Sequence, residues 1–272
     1  MLVGDNNFSH EVPFAQWIRR FDMKRYCQAG LLLTCLLTVA AAQDDLPGTA
    51  RVTPRIDVEL QPVPVLVPEH FDHLPAGLSL NLPPGFSVRM YAAFESVGRP
   101  RFMAFDDDGV LHVTNMDDEQ IVALPDRDGD GFADEAIVVA EGFSRPHSLA
   151  FFDGDLYVGD RPQIVRLRDL DGDGIYEERE VFAGGIPSSG SHSTRTLVID
   201  EAGGKIYLSV GWPCDLCRNQ QSERGAILQF NLDGSGRRVF ANGVRNVVGM
   251  ALHPVTGGPG AGAYGADGHP LL

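Results

Sequence analysis

From residue 80 onward, short runs of apolar residues alternate with turns rich in Gly and Asp. Each run is rich in β-branched and aromatic residues, as is typical of strands. The runs are Phe86–Tyr91, Phe102–Phe105, Val110–Thr114, Ile121–Leu124, Ala136–Ala140, Ser148–Phe152, Leu156–Val158 and Ile164–Leu167. This spacing predicts consecutive antiparallel strands joined by tight turns. The 31 Gly and 18 Pro residues also favour an all-β fold over a helical one.

The predicted strands belong to a sequence repeat. The segment Gly98–Phe105 recurs as Ser144–Phe151, a shift of 46 residues. Third and fourth copies begin at Arg195 and Gly249, and the Asp-rich segment Ile121–Gly131 recurs after 43 residues. A repeat of about 40–50 residues with four strands corresponds to one blade of a β-propeller. The alternative is a β-sandwich with chance similarity. From residue 80 the chain supplies about three and a half to four blades.

Residues 23–42 have the pattern of a secretory signal peptide. Lys24 and Arg25 precede an apolar run that ends at Ala42. A retained membrane anchor is the alternative, although the run is shorter than the roughly 20 residues that span a bilayer. The sequence therefore predicts a periplasmic or secreted protein with no stable membrane span. We divide the chain into an N-terminal extension with the signal (1–42), a Pro-rich leader (43–79), a partial propeller (80–257) and an irregular Gly/Ala-rich tail (258–272).

The net charge and the cysteine spacing limit the classes of partner and of metal or redox site that the sequence allows. A net charge of −15 argues against nucleic acid and anionic membranes as partners, whereas a small neutral ligand such as a sugar is compatible with it. After signal cleavage only Cys214 and Cys217 remain, spaced C-x-x-C. In an oxidising compartment this spacing favours a disulfide; in the cytosol it would indicate zinc or redox chemistry. One C-x-x-C pair cannot supply the four ligands of a structural zinc site.

Two Asp-rich turns have the alternating carboxylates of a calcium-binding loop, in which oxygens at every second position face the ion. The predicted ligands are Asp126, Asp128 and Asp130 in the first loop and Asp169, Asp171, Asp173 and Glu180 in the second. Glu180 stands at the twelfth position of its loop, where a bidentate Glu is expected. The alternative is a metal-free Asp-Gly hairpin. If calcium binds these turns, we expect it to be structural.

Four polar residues precede predicted inner strands: His147, His192, Arg245 and Asn246. Because the innermost strand of every blade faces the central channel, equivalent positions in successive blades converge on one pocket. A histidine there can accept a proton from a hydroxyl group, and an arginine can hold a carboxylate or an oxyanion. Structural roles for these residues are equally open at this point.

Several segments resemble the glucose/sorbosone dehydrogenase family. They are Leu82–Ala92, His192–Gly211, Gly225–Gly234 and Gly243–Pro254. The resemblance covers roughly residues 80–257, and its most specific motifs are H-x-x-R at His192 and G-x-R-N at Gly243. It implies a six-bladed β-propeller that uses pyrroloquinoline quinone (PQQ) and calcium to oxidise a sugar at a hydroxyl or aldehyde carbon. It does not identify the electron acceptor.

The resemblance also implies roles for single residues. His192 would be the general base, Arg245 would polarise the quinone oxygens, and Asn246 would contact the cofactor. His147 has no family role and is a cofactor-pocket candidate only. In the glucose branch an Asp orients the base, but this chain reads Trp-Pro-Cys-Asp at 212–215, closer to the sorbosone branch. The role of Asp215 is therefore open.

The chain departs from the family after Pro254, where its relatives continue into a calcium-holding loop and further blades. Residues 258–272 have no strand pattern. We therefore expect a truncated propeller with two exposed sheet edges and incomplete calcium and PQQ sites. The main alternative function is a non-enzymatic exported propeller that binds a ligand or a protein. A calcium-dependent hydrolase of the lactonase type is a third, supported by Asn246 alone.

Overall fold

A computed structural model describes residues 57–215, 217, 221–253, 259–264 and 270–271. The predicted extension, the signal peptide and the first part of the leader lie outside these residues. The described segments from residue 58 onward form one compact unit. Among them, no helix is long and apolar enough to cross a membrane.

The described residues form eighteen strands and two short 3₁₀ helices, Glu69–Phe71 and Glu95–Val97. The strands are β1 (Gln61–Leu66), β2 (Ser79–Leu82), β3 (Val88–Arg89), β4 (Pro100–Phe105), β5 (Leu111–Asn115), β6 (Gln120–Leu124), β7 (Ile137–Glu141), β8 (Ser148–Phe152), β9 (Asp155–Asp160), β10 (Gln163–Arg168), β11 (Glu178–Ala183), β12 (Leu197–Asp200), β13 (Lys205–Val210), β14 (Ala226–Asn231), β15 (Arg238–Asn242), β16 (Val247–Leu252), β17 (Pro259–Tyr264) and β18 (Pro270–Leu271).

Three four-stranded antiparallel sheets make up most of the unit. They are β4 to β7, β8 to β11 and β12 to β15, each with its strands in chain order, and we call them blades 1 to 3. The first strands of successive sheets, β4, β8, β12 and β16, lie side by side and are the inner strands. A further sheet has the order β16-β17-β18. The prediction of an all-β, incomplete propeller of four-stranded blades is confirmed.

Each blade contains the same irregularity between its third and fourth strands. The register shifts at Ile121/Val122 in blade 1, at Ile164/Val165 in blade 2 and at Ile227/Leu228 in blade 3. A bulge adds local twist to a strand pair. Its recurrence at matching positions shows that the sequence repeat is a repeat of backbone geometry.

The core lies between adjacent blades. The second strand of blade 1 and that of blade 2 are buried at every position. Blade 2 packs between blades 1 and 3, whereas the other face of blade 1 is covered by Tyr91, Ala92, Phe94 and Val97. Blades 1 and 2 enclose one cluster, whose buried members are Ile121, Ala123, Val139, Phe143, Leu149, Leu156, Val158, Val165 and Leu167. A second cluster joins blades 2 and 3 and includes Tyr157, Ile164, Ile206, Leu208 and Phe230.

The leader is more structured than predicted. Strand β1 lies wholly within it and β2 begins within it, and they form a sheet with β3 in the order β2-β1-β3. Val65 donates its N–H to the carbonyl oxygen of Leu78, on the side of β1 that faces β2 (2.8 Å). Pro62 and Pro64 alternate with Val65 along the strand, so no hydrogen bond to β2 requires an N–H from them. Proline is therefore compatible with this strand.

The tail prediction also differs from the structure. Part of the segment expected to be irregular forms β17, which pairs antiparallel with β16, and β18 pairs with β17. Strand β17 pairs with β16 through main-chain N–H and C=O groups, which Gly and Ala carry like other residues. Side-chain pattern therefore gave no signal for this pairing.

Candidate functional site

Three loops meet at one end of blade 3. They are residues 187–196 before β12, 211–215 after β13, and 243–246 before β16, and we call them the site loops. Ser191 donates its N–H to the carbonyl oxygen of Pro213 (2.8 Å). Trp212 donates its N–H to the carbonyl oxygen of Arg245 (2.7 Å). These main-chain bonds bring His192 and Arg245 to the same place from separate parts of the chain.

Two glycines allow this close approach. Gly190 has a φ of +91°, and a Cβ there would lie 2.3 Å from the carbonyl oxygen of Pro213. At Gly211 a Cβ would lie 2.6 Å from the Cβ of His192 and 2.8 Å from the Oδ1 of Asn246. Any larger residue at either position would separate the loops.

The ring of His192 is held by the main chain. Its Nδ1 lies 2.7 Å from the carbonyl oxygen of Trp212, an acceptor only, so Nδ1 carries the proton. In the neutral ring the lone pair is therefore on Nε2. That atom lies 3.3 Å from Oδ1 of Asp215, and the same oxygen contacts Nη2 of Arg245. One carboxylate thus bridges the predicted base and the predicted cofactor arginine.

Two predicted cofactor residues carry unpaired buried atoms. Within the described part of the chain, Nε of Arg245 and Oδ1 of Asn246 are buried and have no hydrogen-bond partner. Most buried polar atoms in folded proteins have a partner. A donor and an acceptor are therefore left at the site loops for a polar ligand to use.

The arginine of the H-x-x-R motif, Arg195, has a structural position. It is fully buried and donates to the carbonyl oxygens of Arg161 (2.9 Å), Thr194 (2.6 Å) and Pro187 (2.5 Å). Burial, and then the neighbouring positive charges of Arg224 and Arg161, lower the pKa of Arg195 to about 9. Its guanidinium fixes the loop that carries His192.

Sequence reasoning missed two further arginines. Nη1 of Arg224 donates to the carbonyl oxygen of Gly211 (3.0 Å), and Nη2 of Arg161 donates to that of Gly190 (2.9 Å). The Nε atoms of both are buried without a partner among the described residues. Burial and the charge of Arg161 lower the pKa of Arg224. Arg161 stands in the β9–β10 hairpin, so the repeat itself could have placed it at this end of the blades. No sequence signal indicated Arg224.

His147 lies in a different environment. It immediately precedes β8, is buried, and stacks against the ring of Phe102 at 4.7 Å. Both ring nitrogens lack a partner among the described residues. Burial, and then the charges of Arg101 and Arg195, lower the pKa of His147 to about 3. The ring is therefore neutral at ordinary pH, and its place in a cofactor pocket stays a prediction.

The structure joins Cys214 to Cys217 in a disulfide, with Cα atoms 5.8 Å apart. The four-residue loop that it closes carries Asp215. Nε1 of Trp212 donates to the carbonyl oxygen of Cys217 (3.0 Å), so the loop is anchored beside the site.

The acidic loops lie at the opposite end of the strands, in the β6–β7 and β10–β11 hairpins. Carboxylate oxygens of Asp126, Asp128 and Asp130 lie within 4.8 Å of one another. The second cluster consists of Asp169, Asp171, Asp173 and Glu177. Burial raises the pKa of Asp169, but amide donors led by those of Gly174 and Gly172 outweigh it and hold that pKa below its usual value.

The fourth carboxylate of the second cluster is Glu177 and not Glu180, the residue predicted. Glu180 stands on β11 opposite Arg166, and its carboxylate lies 3.3 Å from Nη2 of Arg168. Counting twelve positions assumes that a helix follows the loop. Here a strand follows, and it carries Glu180 away from the turn.

Comparison with known proteins agrees with this fold. The family described as "Domain of unknown function (DUF7133)" matches residues 76–254, more than half of the chain. The chain belongs to the DUF7133 family. The match begins in the predicted leader and includes all three complete blades, the site loops and β16. No curated protein matches this DUF7133 chain.

Several solved structures share the fold. The holo form of the pyranose dehydrogenase PQQ domain from Coprinopsis cinerea has a TM-score of 0.53 and 20% identity, over 61% of the DUF7133 chain and 44% of its own. A Trichoderma reesei structure of Carbohydrate-Active Enzymes Family AA12 has a TM-score of 0.60 and 17% identity, over 79% and 52%. A calcium structure of that family has a TM-score of 0.53 and 17% identity, over 61% and 46%. The chain therefore spans about half the length of these structures.

Proposed function

We propose that this chain carries the base and the cofactor-contacting loops of a PQQ-dependent dehydrogenase that oxidises a sugar at a hydroxyl or aldehyde carbon. The observation that carries the proposal is that His192 Nε2 and Arg245 Nη2 contact the same oxygen of Asp215, beside the unpaired atoms Arg245 Nε and Asn246 Oδ1. The similar fold of a pyranose dehydrogenase PQQ domain supports it.

The residues at the site loops fit PQQ, a planar cofactor with three carboxylates and adjacent quinone oxygens. Guanidinium groups pair well with carboxylates and oxyanions. Arg245 is the first candidate to hold such a group, and Arg224 and Arg161 add positive charge at the neighbouring loops. The Asn246 amide oxygen can accept an N–H of the ring system. When bound, PQQ supplies a two-electron acceptor for hydride.

The side chains of the site would handle the proton. Nε2 of His192 has the free lone pair and accepts the hydroxyl proton of the substrate. The bond from Nδ1 to the Trp212 carbonyl oxygen (2.7 Å) keeps the ring oriented and stabilises the imidazolium that forms. Arg245 lowers the free-energy cost of negative charge on an adjacent oxygen.

PQQ retention by the full chain tests the proposal. We expect the chain, mixed with calcium and PQQ and then gel-filtered, to retain the quinone absorbance and to oxidise at least one aldose in a dye-linked assay. Arg245→Ala should weaken PQQ binding by about 10- to 150-fold, because a charged hydrogen-bonding group is worth about 1.5–3 kcal/mol.

Arg238→Ala is the matched control, since Arg238 binds Gln229 (2.6 Å) on the outer strands of blade 3. It should leave PQQ binding unchanged. Absence of PQQ from the wild-type chain after gel filtration would rule out the proposal, as would equal losses in the two variants.

We also propose that the protein is exported to the periplasm or the cell exterior. The disulfide between Cys214 and Cys217 supports this, because disulfides persist in oxidising compartments. The sequence pattern of residues 23–42 points the same way.

We further propose that the second acidic cluster binds calcium in a structural role. Four carboxylates make up the cluster, and hard oxygen ligands suit calcium. Because the β10–β11 hairpin lies at the far end of the strands, such an ion would stabilise blade 2 and take no part in sugar oxidation.

Thermal unfolding with and without calcium tests this role. At a calcium concentration about a hundred times Kd, we expect a stabilisation of about 2.7 kcal/mol and a rise in Tm of about 5–10 °C. Glu177→Gln should reduce that rise, whereas Glu180→Gln should not, because only Glu177 belongs to the cluster. Equal effects of the two substitutions would contradict the assignment.

A further inference from the structure

Asp215 occupies an unusual position for a surface residue. Its side chain is 73% exposed, whereas those of its two partners, His192 and Arg245, are 14% and 24% exposed. A single carboxylate oxygen contacts both partners. Asp215 therefore covers the open side of the two groups that face the ligand in the proposed function.

The main chain, and not burial, keeps Asp215 there. The disulfide of Cys214 and Cys217 flanks the residue, and Trp212 anchors the same loop through Nε1 to the Cys217 carbonyl oxygen (3.0 Å). The Trp212 carbonyl oxygen also accepts from Nδ1 of His192, and the Trp212 N–H donates to the carbonyl oxygen of Arg245. The loop is thus fixed, while the exposed side chain is free to turn towards solvent.

The contact does not orient the base. An orienting carboxylate would accept the Nδ1 proton of His192, but the Trp212 carbonyl oxygen already does so. Asp215 faces Nε2, the atom that must meet the substrate. The neutral ring has no proton on Nε2 to donate, so this contact is a hydrogen bond only when His192 is charged. The carboxylate therefore competes for the reactive nitrogen.

We propose that Asp215 is an internal anion that occupies the site in the absence of ligand and is displaced by a carboxylate or other oxyanion of the ligand. The inference deepens the proposed function and concerns the same side chains. A ligand carboxylate at Arg245 must displace Asp215 from that guanidinium and, with it, the carboxylate oxygen that lies beside Nε2 of His192. An ion pair with an exposed carboxylate is weak, but Asp215 also occupies the space at His192 Nε2, so the two effects together should lower ligand affinity by about three- to thirtyfold.

Oxalate binding to the full chain, measured by isothermal titration calorimetry, tests the proposal. Asp215→Asn should lower the Kd for oxalate by about three- to thirtyfold. The control is Asp117→Asn, which removes one carboxylate from another exposed Asp–Arg pair, with Arg99 (3.3 Å). It makes the same change in net charge and should leave the Kd unchanged. Adding Arg245→Met to Asp215→Asn should abolish the gain.

Equal oxalate affinities for wild type and Asp215→Asn, or no oxalate binding by any variant, would overturn the proposal. Weaker binding by Asp215→Asn would show that Asp215 supports the site instead. PQQ retention separates this inference from the proposed function. If oxalate affinities follow the expected order but wild type retains no PQQ, the dehydrogenase proposal fails and the internal anion stands.

Discussion

Replacing His192 with alanine should lower the rate of sugar oxidation by about 10²–10⁴-fold, the usual contribution of a positioned general base. The reason is that Nε2 is the atom with the free lone pair, since Nδ1 donates to the Trp212 carbonyl oxygen at 2.7 Å. Dye-linked turnover of the full chain, loaded with PQQ and calcium, measures the effect. The loss should be in kcat, because His192 is not among the groups proposed to hold the cofactor.

His73→Ala is the control, because His73 is an exposed histidine in the leader. It should keep wild-type turnover. PQQ retention by His192→Ala should also match wild type, which separates a lost base from a lost cofactor. A His192→Ala chain with turnover within a few fold of wild type would show that another group takes the proton.

Most of the fold could be predicted because the apolar side chains of the strands recur with the period of the blades. Strands buried on both faces need continuous apolar runs, and Leu156–Val158 has one. Ile164, Val165 and Leu167 of the next strand are buried as well. The leader and the tail escaped prediction for a common reason. Their strands pair chiefly through main-chain groups, as Val65 does with Leu78 (2.8 Å), and these leave little trace in residue type.

The site could be predicted only where a motif marked it. His192, Arg245 and Asn246 stand in segments that resemble a known family, and the structure brings His192 and Arg245 to one carboxylate. Arg224 and Arg161 reach the same loops through carbonyl oxygens of Gly211 and Gly190. Such hydrogen bonds depend on the backbone conformation of the loops, which neither the repeat length nor the spacing of residues in a motif specifies.

Arg195 is a residue that a motif marked but whose role the motif did not show. The H-x-x-R motif marked this residue together with His192, but its guanidinium binds three carbonyl oxygens and is fully buried. A motif records that a residue matters to the site, and only the packing shows whether it meets the ligand or holds the loop.

Replacing Arg195 with methionine should therefore destabilise the protein by about 3–5 kcal/mol. Methionine fills much of the same space but leaves the carbonyl oxygens of Arg161, Thr194 and Pro187 without their donor. Each buried acceptor left unpaired costs about 1–3 kcal/mol, partly offset because a buried charge is removed as well. Urea unfolding of the full chain, followed by circular dichroism, measures the change.

Two further variants separate the hydrogen bonds from the charge. Arg195→Lys keeps the charge but gathers its donors on one nitrogen, which cannot reach three separated carbonyl oxygens, so its loss of stability should also exceed 1 kcal/mol, as a rough lower bound. Arg238→Met removes a partly exposed arginine from the outer strands of blade 3 and should cost less than about 1 kcal/mol. If Arg195→Met costs no more than Arg238→Met, the carbonyl oxygens must find other donors, and Arg195 would then be available to a ligand at the site.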